Sequence, residues 1–318
     1  MKRYALITVL VLSAIVVCTT CSKKDYQPFK IEGLTLENFP LFDGSTSTDP
    51  LVRMIACKLL GYECFWKQSF DDGTWNLQTD LSDEFVEKHL KSSQTHNAFI
   101  NLIDGKSDII LSARKMSPDE KAYADEAGVN LIETPIALDA LVFVASPQNR
   151  VSSLTHKQLQ DIYTGRITNW KDVDGNDAPI TPYVRNRNSG SQELFETLVL
   201  PEEQIPDDFP IGDFRPIPLF SMMPVFEGVM GNINGLGYTV FFYKEFIIRN
   251  LYPVKTLAID GVYPDKNTIR TEKYPYTAEV YVVTRSDLDK SSMAYKIREF
   301  LLTDAGKIVI EESGYVPN

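Results

Sequence analysis

The chain reads as an α/β protein, and three observations carry that reading. Short apolar runs end in hydroxyl-rich loops. Each loop opens a segment whose apolar residues recur at helical spacing. Capping pairs at i and i+3 mark several of the helix starts, as in Ser117/Glu120, Thr155/Gln158 and Ser189/Gln192. Alternation of this kind places ligands at the carboxyl ends of strands.

Taken in order, the chain begins with a targeting segment. Lys2 and Arg3 precede an apolar run from Ala5 to Val17 that is short for a bilayer span, and Cys18-Thr19-Thr20-Cys21 follows. Residues 1–21 resemble a bacterial lipoprotein signal with Cys21 as the lipidated residue. The competing readings are a plain secretory signal and a single anchor helix. Residues 22–38 read as a linker from that anchor. No later apolar run is long enough to cross a membrane.

Phe39-Pro40-Leu41-Phe42 then leads into Asp43-Gly44-Ser45-Thr46-Ser47-Thr48-Asp49-Pro50. Leu51, Met54, Ile55 and Leu59 follow at helical spacing, with Pro50 suited to the first turn and Thr48 or Asp49 to the cap. A second polar loop, residues 92–97, opens a helix carrying Ala98, Phe99, Leu102 and Ile103, with Thr95 as its candidate cap. Asp108–Leu111 reads as a short buried strand that delivers Ser112-Ala113-Arg114-Lys115. Arg114 is either a donor to a cleft or a solvated residue beyond the strand end.

Ile136–Ser146 reads as a central strand, Thr155–Tyr163 as a helix stopped at Gly165, and Ile180–Val184 as a strand. That strand feeds Arg185-Asn186-Arg187-Asn188-Ser189-Gly190-Ser191-Gln192-Glu193. The helix expected from Ser189 offers unpaired N–H groups and the positive end of its dipole. With Arg185 upstream, this chemistry suits an oxyanion. Gly231, Gly235 and Gly237 read as turns flanking a strand, Val280–Thr284 as a strand, and Met293–Leu302 as an amphipathic helix.

Composition narrows the function. With 32 Lys and Arg against 43 Asp and Glu, the net charge of −11 disfavours nucleic acid, which is held by clustered cations. It does not disfavour one small anion held by local N–H groups. Cys57 and Cys64 match no zinc spacing, and His89, His96 and His156 sit near neither; no metal and no cofactor is expected. The two cysteines read as buried thiols or as one bridge. Ser112-x-x-Lys115 fits one enzyme pattern, but its partner motifs, G-x-S-x-G and a nucleotide-binding glycine loop are all missing, so catalysis is not expected.

Several segments resemble, in order, the phosphate-type substrate-binding proteins of bacterial ABC transporters. They are FDGSTSTDPL, LIDGKSDIILSARKMS, LDALVFVASPQNRVSSLTHKQLQDIYTGRITNWKDV, RNRNSGSQELFETLV, IDGVYPDKNTI with a later YPY, and DAGKIVIEESGYVPN. The resemblance implies a two-lobed periplasmic-binding-protein fold of type II with the ligand in the cleft between lobes. It places lobe 1 at residues 39–138 plus 259–318 and lobe 2 at 139–258, with crossings near Leu138 and Ile259. It implies a monomeric, lipid-tethered, exported receptor that delivers phosphate to a membrane permease. Carried over by position, its ligand-binding residues are Thr46, Ser47, Thr95, Ser112, Arg185, Ser189, Gly190 and Ser191. One position departs: Ala113 stands where the family has an Asp that accepts the proton of phosphate. Sulfate or molybdate thereby stays open as the anion, and a surface sensor or scaffold stays open as the role.

Overall fold

The computed structural model describes residues 29–186, 189–205, 217–219 and 221–318. The signal segment with Cys21, and the first part of the expected linker, lie outside the described residues.

The expected alternation is present. The first half holds β1 (Phe42–Gly44), α1 (Asp49–Leu60), the hairpin β2 (Cys64–Gln68) and β3 (Trp75–Thr79), α2 (Asp83–His89), α3 (Thr95–Ile103), β4 (Ile109–Ser112), α4 (Pro118–Ala127) and β5 (Leu131–Ala145). Next come β6 (Ser153–Leu154), α5 (His156–Tyr163), β7 (Thr181–Arg185), α6 (Gly190–Leu198), β8 (Ile217–Leu219), α7 (Met223–Gly231) and β9 (Gly235–Val240). The chain closes with β10 (Lys255–Thr256), β11 (Ala258–Ile259), α8 (Lys266–Arg270), β12 (Thr277–Arg285), α9 (Met293–Leu301), α10 (Asp304–Ser313) and β13 (Val316–Pro317). The two capping boxes at Ser117/Glu120 and Thr155/Gln158 form as the spacing predicts.

Strand β5 organises both lobes. Its residues 131–140 pair antiparallel with β12, whereas Leu141–Ala145 pair with β9. Lobe 1 therefore builds on β1-β4-β12-β5, and lobe 2 on β5-β9-β7-β8. The strand is buried almost without break from Ile136 to Ala145, as a strand covered on both faces must be. The change of partner at Ala140–Leu141 lies close to the expected crossing at Leu138. On the return, Ala258–Ile259 still pair with Ser153–Leu154, and Tyr276 Oη contacts His156 Nδ1 at 2.7 Å. By α8 the chain is back against the first-lobe elements, with Arg270 Nη2 3.1 Å from Glu311 Oε1 of α10, and at Thr277 it takes up its pairing with residues 131–140.

Asp139 sits at this junction, wholly buried. Its Oδ1 accepts the amides of Phe242 at 2.9 Å and Ala140 at 2.8 Å, tying β5 to the segment after β9. Its Oδ2 has no partner among the described residues, and burial pushes its pKa up to about 7.

Two local readings change, and of the two readings of the cysteines the thiols are the one present. Gly235 and Gly237 lie inside β9 rather than in turns, and residues 223–231 form a helix. A methyl at Gly237 would lie 2.6 Å from Val225 Cγ1, so the glycine lets α7 seat against the sheet. Arg114 is neither solvated nor in the cleft: it is 4% exposed and forks onto Glu120, with both N–O distances 2.7 Å. Cys57 and Cys64 are both free thiols. Cys57 is buried and donates to Glu63 O at 3.6 Å.

Candidate functional site

Three helix starts and one arginine converge on a cavity of about 380 Å³ between the lobes. Lobe 1 contributes Ser45, Thr46, Ser47, Gln94, Thr95, His96, Asn97 and Ala113. Lobe 2 contributes Arg185, Asn186, Ser189, Gly190 and Ser191, with Ser221, Met222, Met223, Val240 and Tyr243 beyond them. Among the described residues the lining holds no Asp or Glu.

The first-lobe wall is clamped from behind. β1 runs parallel to β4, and Ser45 N donates to Leu111 O at 3.0 Å. Thr48 is not a side-chain cap; its hydroxyl donates to Ser45 O at 2.9 Å and Leu111 O at 3.0 Å. Tyr315 holds the far side through Ser47 O at 2.9 Å. A tight turn at Thr46–Thr48 then leads straight into α1, leaving the Thr46 and Ser47 amides at a helix start.

Thr95 is the first helical residue of α3 rather than its cap; Gln94 holds the cap position with φ 70°. Its hydroxyl is thereby free of the helix and meets Ser45 Oγ at 2.9 Å. Ser45 Oγ also accepts the Ala113 amide at 3.2 Å. Of the two hydroxyl protons in the Ser45–Thr95 pair, one is used between them and one remains for an acceptor in the cavity. Ala113 itself brings only a methyl, its amide being spoken for.

The second-lobe wall carries the charge. Ser189 caps α6 through the Gln192 amide at 3.2 Å. The expected reciprocal bond is not made. Gln192 Oε1 instead accepts the Arg185 amide at 2.9 Å and the Tyr238 hydroxyl, pinning the end of β7 to the start of α6. The Gly190 and Ser191 amides are first-turn groups without intrahelical acceptors. Arg185 is 8% exposed, and its guanidinium donates to Leu219 O at 3.1 Å and Ser191 Oγ at 3.2 Å. No carboxylate among the described residues pairs with it. Burial pulls its pKa below the ordinary arginine value, yet a guanidinium stays charged. Tyr243 lines the same wall, its phenol pushed up to about 12 by burial, and so stays protonated.

Of the residues picked from sequence, Thr46, Ser47, Thr95, Arg185, Ser189, Gly190 and Ser191 line this one cavity. Ser112 does not. It is 1% exposed, and its hydroxyl turns back to donate to Arg114 O at 2.6 Å. Ser45, His96 and Tyr243 are additions. A larger cavity of about 630 Å³ runs along the side of α6, but Glu193, Glu272 and Glu279 line it and Arg114 is already paired. It suits an anion poorly.

The geometry has known counterparts. Residues 69–301 match the PBP superfamily domain. The Borreliella burgdorferi phosphate-binding protein PstS is 30% identical over 210 residues, covering 65% of this chain and 71% of the relative. A Staphylococcus epidermidis phosphate-binding protein PstS is 25% identical over 324 residues, covering 99% and 89%. Among solved structures, a putative phosphate ABC transporter substrate-binding protein from Clostridium perfringens with bound phosphate has a TM-score of 0.63 at 22% identity, covering 88% of this chain and 99% of that one. An ABC-type phosphate transport receptor from Vibrio cholerae gives 0.61 at 20%, with the same coverage. The chain is a two-lobed binding protein rather than an enzyme. It belongs to the PBP superfamily, in the family of phosphate-type substrate-binding proteins.

Proposed function

We propose that this protein captures an inorganic oxyanion, phosphate first among them, and presents it to a membrane ABC permease. The observation that carries the reading is Arg185, a buried guanidinium with no carboxylate partner among the described residues, in a cavity lined by three helix starts. A buried cation is costly unless an anion meets it. Arg185 offers the fork, the Gly190, Ser191, Thr46 and Ser47 amides offer fixed dipoles, and Ser189 and Thr95 offer hydroxyls. The lobes rotate about the two crossings, near Leu138 and Ile259, to close on the ligand. The protein acts as an exported monomer tethered through Cys21.

Calorimetry with inorganic phosphate tests this. One site per chain is expected in the wild type, and none that is measurable in Arg185→Ala. Unchanged binding in the variant would remove the site assignment. Ala113 favours a second reading, in which the absent Asp acceptor opens the site to sulfate or molybdate. A thermal-shift panel of the three anions separates the readings. A response to none of them would favour a sensor or scaffold on the same fold.

A further inference from the structure

His96 lines the same cavity as Ala113, with Glu120 behind its ring. Glu120 is fully buried and serves three donors at once. Its Oε2 accepts Arg114 at 2.7 Å and the Ser117 amide at 2.8 Å; its Oε1 accepts the second Arg114 nitrogen at 2.7 Å. Each of these contacts uses a Glu120 oxygen as the acceptor. His96 Nδ1 lies 3.0 Å from the same Oε1, a hydrogen bond that the Nδ1–H tautomer makes. In the singly protonated ring, Nε2 is then a bare lone pair on the side away from Glu120. The side chain is 37% exposed and lines the oxyanion cavity.

We propose that His96 Nε2 is the acceptor that selects a protonated oxyanion, taking the part that Ala113 leaves vacant. The inference rests on the oxyanion reading above. A fixed acceptor welcomes the P–O–H of hydrogen phosphate and repels a fully ionised sulfate oxygen. Other lining groups do not discriminate in this way. The hydroxyls of Thr46, Ser47 and Ser189 and the amides of Gln94 and Asn97 can each turn a donor toward either anion. Glu120, paired with Arg114, contacts the ring, Glu193 and Asp119 belong to the same electrostatic cluster, and Arg185 lines the cavity with the protonated Tyr243 phenol near it. Arg114 is absorbed by Glu120, which leaves Arg185 to neutralise the anion and His96 to read its proton.

The test is calorimetric titration of the wild type and His96→Phe with inorganic phosphate and with sulfate. Phosphate affinity is expected to fall by about tenfold or more, as for a buried donor left without its acceptor. Sulfate affinity should hold or rise. Equal changes for both anions, or none, would overturn the proposal while leaving the site intact. Failure of the wild type to bind phosphate would remove the underlying reading, and the proposal with it. A second readout needs no variant. In long-range 1H–15N spectra of the protein, which has three histidines, His96 should show the Nδ1–H tautomer, with Nε2 shifting on phosphate addition. An Nε2–H tautomer contradicts the assignment.

Discussion

The two walls of the cleft use different physics. The first-lobe wall is neutral: Ser45, Thr46, Ser47 and Thr95 present hydroxyls and helix-start amides, clamped by Thr48 and Tyr315. The second-lobe wall holds a buried cation without a carboxylate partner among the described residues, Arg185, with its backbone pinned by Gln192 and Tyr238. Charge in one wall and fixed dipoles in the other mean that neither alone completes an oxyanion site. Affinity then depends on closure, because the two sets of contacts meet on a ligand only when the lobes do.

That contrast can be broken in graded ways. Arg185→Lys keeps the charge but loses the fork, and phosphate affinity should drop by about 100-fold in calorimetry, given charge-assisted bonds worth roughly 1.5–3 kcal/mol each. Gly190→Ala acts on closure. An added methyl would sit 2.7 Å from Thr95 Oγ1 on the opposite wall. About tenfold weaker binding is expected, by the usual ~1–3 kcal/mol cost of overpacking, together with a more open solution envelope in small-angle scattering. Ser45→Ala acts within the neutral wall. It strips the Thr95 and Ala113 partners of one bond each, and a loss of about 1 kcal/mol, a few-fold in affinity, should follow in the same titration.

The smallest effect on binding should come from Asp139→Asn, whose signature is in stability. Burial raises the Asp139 pKa to about 7, above the ordinary carboxyl value of about 3.9. The folded state thus favours the protonated form. Its stabilising contribution is complete below about pH 4 and is lost as pH rises through about 7. Melting temperatures measured between pH 5 and 8 should fall in the wild type and stay flatter in the variant. At pH 8 the variant should be more stable by ~1 kcal/mol or more, a few degrees. Parallel pH curves would show that Asp139 is not the titrating group.

What the sequence revealed follows the range of the interactions. Ser117/Glu120 and Thr155/Gln158 were legible because a capping box is closed within four residues. The Arg185–Ser191 wall was legible because its groups are contiguous. Arg114 misled because its partner, Glu120, belongs to the next helix and captures it from a cleft or solvent position. Ser112 misled for a related reason: at the strand end its hydroxyl bonds the local backbone instead of facing the cavity. Ser45 and His96 gain their places only through chain reversals, Ser45 meeting Thr95 and His96 meeting Glu120. The hydroxyl-rich run from Ser45 to Thr48 was the signal for the first. Nothing in the pattern around His96 points to Glu120.

The central claim is that one anion joins the two walls. Its most direct test is a crystal structure of the protein grown with inorganic phosphate. The account predicts one phosphate between the Arg185 guanidinium and the amides of Thr46, Ser47, Gly190 and Ser191. A phosphate bound elsewhere, or a cleft that excludes it from Arg185, would contradict the account.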